Sequence, residues 1–223
     1  MKKNKSFDKK LPNKLTLLRM FLIIPLLICM GIYIETASVF GAFLIRNDFW
    51  RVVTQRILIS LILAIFVVGM ITDFFDGHLA RKYNVVSAFG KLWDPIADKV
   101  MTTSVLVFLT IASQNFIPFV IVILFVIRDL IVDGVRAAMK GYGIDVAASK
   151  WGKIKTIILT ISIVISLLLM TIWPNFSFSK HQNIVQVIRL VVNIPLIIAL
   201  VFSIFSGILY VSKLTRYMKK NNK

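Results

Sequence analysis

One cysteine, Cys29, and two histidines, His78 and His181, leave this chain of 223 residues with almost no soft metal ligands. That excludes an internal disulfide and any zinc site built on cysteine; the two isolated histidines are assigned no role. Acidic residues are scarce as well, with ten Asp and Glu against 27 Lys and Arg. A basic excess can signal a nucleic-acid partner. Here no aromatic-rich basic platform accompanies it, and no nucleic acid is expected. No small-residue cleavage site follows the first apolar run, so that run reads as a membrane span rather than a secretory leader. Nor is there an internal repeat of the kind many transporters carry.

What the chain has in quantity is apolar surface. It is 58% hydrophobic with a mean hydropathy of +0.84, more than a soluble domain of this length could hide. Runs of about 18 or more apolar residues can cross a bilayer core. Six are found, at 15–34, 54–72, 100–117, 118–136, 154–173 and 187–211, the third and fourth parted only by SQNF and Pro118. They predict an all-α integral membrane fold of six transmembrane helices. The membrane domain would cover 15–212, between a basic juxtamembrane segment at 1–14 and a basic tail at 213–223. The abundant Phe and Met read as core and lipid-facing bulk, and Trp50 and Trp173 as residues near the outer interface.

The positive charges are placed unevenly. With the N-terminus inside, all but five of them (Arg46, Arg51, Arg56, Lys180 and Arg189) lie on or near the inner side. This asymmetry predicts a multi-pass protein of the cell membrane with both termini cytoplasmic. The tails KKNKSFDKK and KLTRYMKKNNK are expected to meet anionic lipid head groups.

The negative charges are placed more unevenly still. Four of the ten acids fall within 26 positions, in DFFDGHLARKYNVVSAFGKLWDPIADK from Asp73 to Lys99. Residues three or four apart share a helix face, so Asp73 pairs with Asp76 and Asp94 with Asp98. A break around Tyr83–Asn84 and Ser87–Gly90 lets the two pairs face each other at the cytoplasmic edge of the bilayer. Such a cluster is unfavourable unless cations occupy it or some acids stay protonated. Oxygen-only donors point to Mg²⁺ or Mn²⁺, and two pairs suit one or two ions bridging a diphosphate. Gly77 and Gly90 permit close approach of backbone, and Arg81 offers a fork for phosphate. Plain helix caps account poorly for two pairs with Gly and Arg interleaved. Spacing alone leaves metal–diphosphate chemistry and ion transport both open.

The same stretch reads D-x-x-D-G-x-x-A-R-x8-G-x3-D-x3-D through Asp73, Asp76, Gly77, Ala80, Arg81, Gly90, Asp94 and Asp98. It resembles the signature of the CDP-alcohol phosphotransferases without departure. The resemblance implies an enzyme that passes the phosphatidyl group of a CDP-linked lipid to an alcohol and releases CMP. It further implies a polar active-site cavity facing the cytoplasm, two Mg²⁺ (or Mn²⁺) ions and a homodimer. Asp73, Asp76 and Asp94 would hold metal, and Asp98 would contact metal and act as the base. Gly77, Arg81, Ser87 and Gly90 would lie on the CDP-lipid side.

Three further segments look like the bacterial phosphatidylglycerophosphate synthases of that family. PNKLTLLR resembles their PNxxTxxR and makes Asn13 and Thr16 CDP-lipid contacts; RDLIVDGVR and SKWGKIKT resemble RExxxxGxR and GKxKT. Asp129 stands where Glu is usual, and Asp133 where a small neutral residue is. The implied substrates are CDP-diacylglycerol and glycerol 3-phosphate. A dianionic acceptor needs fixed cations. Arg128 and Arg136 share a broad helix face, with Lys150, Lys153 and Lys155 following, so Arg128, Arg136 and Lys153 are the candidates for the acceptor phosphate. For these cations the plain alternative is positive-inside anchoring, or neutralisation of Arg136 by Asp133. Rival readings are the same chemistry with inositol phosphate, serine or phosphatidylglycerol, an intramembrane prenyltransferase, or a divalent-cation or proton transporter.

Overall fold

The structure, a computed structural model, describes residues 11–38, 41, 45, 47–83, 88–113, 117–142, 150–173 and 182–221. Within them are six long α-helices: α1 Leu11–Ala37, α2 Asp48–Lys82, α3 Ala88–Ala112, α4 Phe119–Gly141, α5 Lys150–Ile172 and α6 Gln182–Asn221. No strand occurs among the described residues.

Five of the six helices are long and apolar enough to cross a membrane, through the segments Asn13–Ala37, Asp48–Gly77, Leu92–Ala112, Trp151–Ile172 and Asn183–Lys219. The exception is helix α4, which is apolar over residues 119–127 and then carries Arg128, Asp129, Asp133 and Arg136. Its buried residues, Val122, Phe125, Val132 and Met139, form a narrow stripe beside those charges. Pro118 caps α4 in an extended conformation, which suits a residue with no N–H to offer.

The chain packs as two compact units that divide at Phe108 and Leu109. In the first, α1 lies along α2, and α3 meets both. Tyr33 and Phe108 meet edge to face with ring centroids 5.3 Å apart. At Gly69 the approach is closer: a Cβ there would lie 2.3 Å from Met101 Sδ and 4.0 Å from Arg19 Cγ. Gly69 sits four residues before Asp73, and Met101 three after Asp98. The close crossing of α2 and α3 therefore lies one helical turn from both carboxylate pairs.

In the second unit α6 is the common partner, packing against both α5 and α4. Trp151 at the start of α5 stacks on Phe202 and meets Phe205 edge-on. Ser162 and Ser166 are buried within α5, where each hydroxyl donates to the carbonyl four residues back. This satisfies them without an interhelical partner. The outer faces of both units expose Phe21, Phe74, Leu130, Ile172 and Val201, as hydrocarbon-facing surface requires.

Candidate active site

The carboxylates of α2 are held from α1. In an otherwise apolar helix, Asn13, Thr16 and Arg19 recur at every third position and so share one face. Arg19 has no solvent exposure at all, and its guanidinium spans Asp73 Oδ1 at 2.7 Å and Asp76 Oδ2 at 2.5 Å. Thr16, also buried, donates its hydroxyl to Asp94 Oδ1 at 2.6 Å. One face of α1 thus grips an aspartate pair on α2 and the first aspartate of α3.

Three of the four aspartates are brought together in this way. Asp76 is 3% exposed, Asp73 is 41% exposed, and Asp76 lies in the electrostatic field of Arg19, Asp94 and Asp73 at once. A buried guanidinium shared by two carboxylates leaves one net negative charge among the three groups, before Asp94 is counted. Asp98 is half-buried, with Oδ1 shielded from solvent. Its backbone carbonyl accepts the Thr102 hydroxyl at 2.8 Å. Pro95, one residue past Asp94, removes an N–H from the helical ladder and loosens α3 between the two acids.

The donors gathered here are carboxylate oxygens, which suits a hard divalent cation. Among the described residues no three acidic, His or Cys side chains are disposed to hold one ion as a set. Asp73 and Asp76 are spanned by Arg19 instead.

The residues expected on the CDP-lipid side are only partly described. Asn13 is half-buried on the Thr16 and Arg19 face, Gly77 is half-buried, and Gly90 is buried in the first turn of α3. Ser87 and the side chain of Arg81 lie outside the described residues.

The second unit holds a separate polar cluster. Arg128 donates Nε to the Ser203 carbonyl at 2.6 Å and an NH1 hydrogen to Asp129 Oδ1 at 2.7 Å. Lys155, 7% exposed, reaches both oxygens of Asp129 at 2.7 and 2.9 Å. Arg136 donates to the Tyr210 hydroxyl at 2.9 Å, and its guanidinium carbon stands 4.6 Å from the centre of that ring. No ion pair between Arg136 and a carboxylate occurs among the described residues. Of the lysines of α5, Lys155 is buried and Lys153 is exposed.

Sequence reasoning missed Arg19, although the recurrence of polar residues at Asn13 and Thr16 points at it. It also missed Gly69 and Tyr210, which carry no local signal beyond being small or polar in an apolar helix.

Residues 9–205 match the sequence pattern of the family described as CDP-alcohol phosphatidyltransferase. A relative from Mycoplasma pneumoniae, CDP-diacylglycerol–glycerol-3-phosphate 3-phosphatidyltransferase, is 34% identical over 221 residues, covering 96% of this chain and 92% of its own. Its namesake from Mycoplasma genitalium is 34% identical over 219 residues, covering 97% and 89%. The namesake from Bacillus subtilis is 33% identical over 162 residues, covering 71% and 75%. With its helices and its aspartate signature, the chain is a multi-pass membrane protein that belongs to the CDP-alcohol phosphatidyltransferase family.

Proposed function

We propose that the protein transfers the phosphatidyl group of CDP-diacylglycerol to glycerol 3-phosphate, giving phosphatidylglycerophosphate and CMP. The observation that carries this reading is the near full-length likeness to synthases so named, joined to an intact four-aspartate signature.

In the reaction, a hydroxyl oxygen of glycerol 3-phosphate attacks the phosphorus that bears the diacylglycerol. The bond from that phosphorus to the CMP oxygen breaks, and CMP departs with the electron pair. Asp98 takes the hydroxyl proton, as a carboxylate within reach of the nucleophile can. Asp73, Asp76, Asp94 and Asp98 would hold Mg²⁺ or Mn²⁺, two ions in all. When bound, the metal supplies charge stabilisation for the diphosphate and for the departing CMP. Arg19 and Thr16 fix the orientation of three of these carboxylates. Asn13, Thr16, Gly77, Arg81, Ser87 and Gly90 line the CDP-lipid side, and Arg128, Arg136 and Lys153 attract the acceptor phosphate.

The site opens to the cytoplasm through a polar cavity, and the protein is a homodimer in the cell membrane with both termini inside. The uneven distribution of Lys and Arg supports that orientation. Helix α4 is a sixth crossing, since Asp129 and Tyr210 engage its arginines and lower the cost of taking them inward.

The test is CMP release by purified protein from CDP-diacylglycerol with Mg²⁺, offering glycerol 3-phosphate, inositol 1-phosphate, serine or phosphatidylglycerol one at a time. Release with glycerol 3-phosphate alone is expected, lost on chelation and restored by Mg²⁺ or Mn²⁺. Release with another acceptor keeps the aspartate chemistry and overturns the choice of alcohol. No release from folded, metal-loaded protein overturns the transferase.

A further inference from the structure

The face that α6 turns toward α4 is built around arginine. Ser203, Gly207 and Tyr210 are spaced four and three apart, so they line one side of α6. Arg128, Val132 and Arg136 are spaced by four along α4. The two rows interlock. The Ser203 carbonyl takes Arg128 Nε. Gly207 lies against the stem: a Cβ there would make van der Waals contact, 3.5 Å from Arg128 Nε, 3.7 Å from its Cγ and 3.4 Å from Val132 Cγ2. Tyr210, 5% exposed, holds Arg136 by its hydroxyl and by its ring face.

The two arginines end differently. Arg128 is tied on two sides, to a carbonyl and to Asp129. Arg136 meets no carboxylate among the described residues, and its Nε is shielded from solvent without a hydrogen-bond partner. A buried donor of a charged group is costly to leave unmet, and a planar fork is well matched to a phosphate oxygen. Tyr210 neutralises none of the charge of Arg136. It fixes one edge of the guanidinium and leaves the charge available.

We propose that Tyr210 is a positioning residue for the acceptor phosphate: its hydroxyl and ring face set the plane of Arg136 so that the part of the guanidinium not held by Tyr210 meets a phosphate oxygen. Gly207 and Tyr210 both lie past residue 205, where the family match ends, so the family pattern assigns them nothing. The proposal rests on the reading that Arg128 and Arg136 receive the phosphate of glycerol 3-phosphate.

The experiment compares Tyr210→Phe, Gly207→Leu and Arg136→Gln with wild type in the full-length protein. It measures KM for each substrate, the inhibition constant of inorganic phosphate against glycerol 3-phosphate, and the thermal midpoint. Tyr210→Phe keeps the ring and removes the hydroxyl. It is expected to raise KM for glycerol 3-phosphate and the phosphate inhibition constant together by about threefold to tenfold, the effect of one lost orienting hydrogen bond. KM for CDP-diacylglycerol and the thermal midpoint should stay unchanged. Gly207→Leu carries a side chain beyond the Cβ position and onto Arg128, so it should move KM for glycerol 3-phosphate in the same direction, which keeps the test open should Tyr210→Phe fold poorly. If Arg136→Gln raises that KM and neither α6 variant does, the role given to Tyr210 is wrong and the acceptor reading stands. If Arg136→Gln also leaves it unchanged, the acceptor reading falls and the inference with it. A rise in both KM values, or a lowered thermal midpoint, reduces Tyr210 to helix packing.

Discussion

Arg19 is the residue on which the aspartate site turns. Its guanidinium is fully buried and meets two carboxylates, so removing it strands charge away from water. Breaking a buried pair by deleting one partner costs about 3–5 kcal/mol. Arg19→Leu should therefore lower the thermal midpoint and reduce turnover by at least about a hundredfold, measured as CMP release. Arg19→Lys, a point charge without the fork, should recover stability better than activity. Equal activity of wild type and Arg19→Leu would remove the clamp from the account. Thr16→Val tests the other arm. Losing the hydroxyl that binds Asp94 should cost about 1 kcal/mol of stability and slow CMP release several-fold. At this scale the sequence is readable for the acids, because four Asp in an acid-poor chain are conspicuous. It is less readable for their partner: Arg19 closes the segment PNKLTLLR, yet an Arg near the start of a membrane helix has the bland reading of an inner-side anchor. Only the fold shows that Arg19 points inward.

Between elements, the decisive feature is the crossing at Gly69 and Met101. A Cβ on residue 69 collides with the Met101 sulfur, and Met101 is wholly buried. Gly69→Ala should destabilise the protein and lower activity by separating the two aspartate pairs. Met101→Ala alone opens a cavity, at about 2–5 kcal/mol. Combined, the small residue should make room for the new methyl, so the double variant is expected to lose less than the sum of the singles. Additive losses in thermal or denaturant unfolding would mean that the two residues do not share this contact. The helices themselves follow from long apolar runs, and all six are legible as such. What composition does not show is how the charges of α4 are met, because their tertiary partners are invisible to hydropathy. Asp129 with Arg128 and Lys155, and Tyr210 with Arg136, are separated in sequence by up to 74 positions.

For the molecule as a whole, charge asymmetry and helix length make one joint prediction. Helix α6 has 40 residues, about 60 Å at 1.5 Å per residue, while a bilayer core is about 30 Å thick. Its basic end, with Lys213, Arg216 and Lys219, should project on the cytoplasmic side. A single cysteine at position 218, in a background where Cys29 is Ser, should react with an impermeant thiol reagent in inside-out membrane vesicles and not in intact cells. Labelling in intact cells would invert the topology and put the aspartates on the wrong face for a soluble cytoplasmic acceptor. Under the proposed function the aspartates belong at a membrane edge, because the substrate divides there: the diphosphate requires water and cations, and its acyl chains require lipid. Composition and signature together made that division legible before any coordinates. The acceptor cluster was legible only as a set of basic residues, since its selectivity depends on which cations are buried and which are already paired.

The most direct measurement is CMP release from CDP-diacylglycerol and glycerol 3-phosphate by Asp98→Asn beside wild type, with CDP-diacylglycerol binding determined on the same purified samples. The account predicts turnover lowered by a factor of about 10² or more, as loss of a general base gives, with the lipid still bound. Turnover near the wild-type rate would show that Asp98 does not take the proton, and the chemistry assigned to the four-aspartate site would be wrong at its centre.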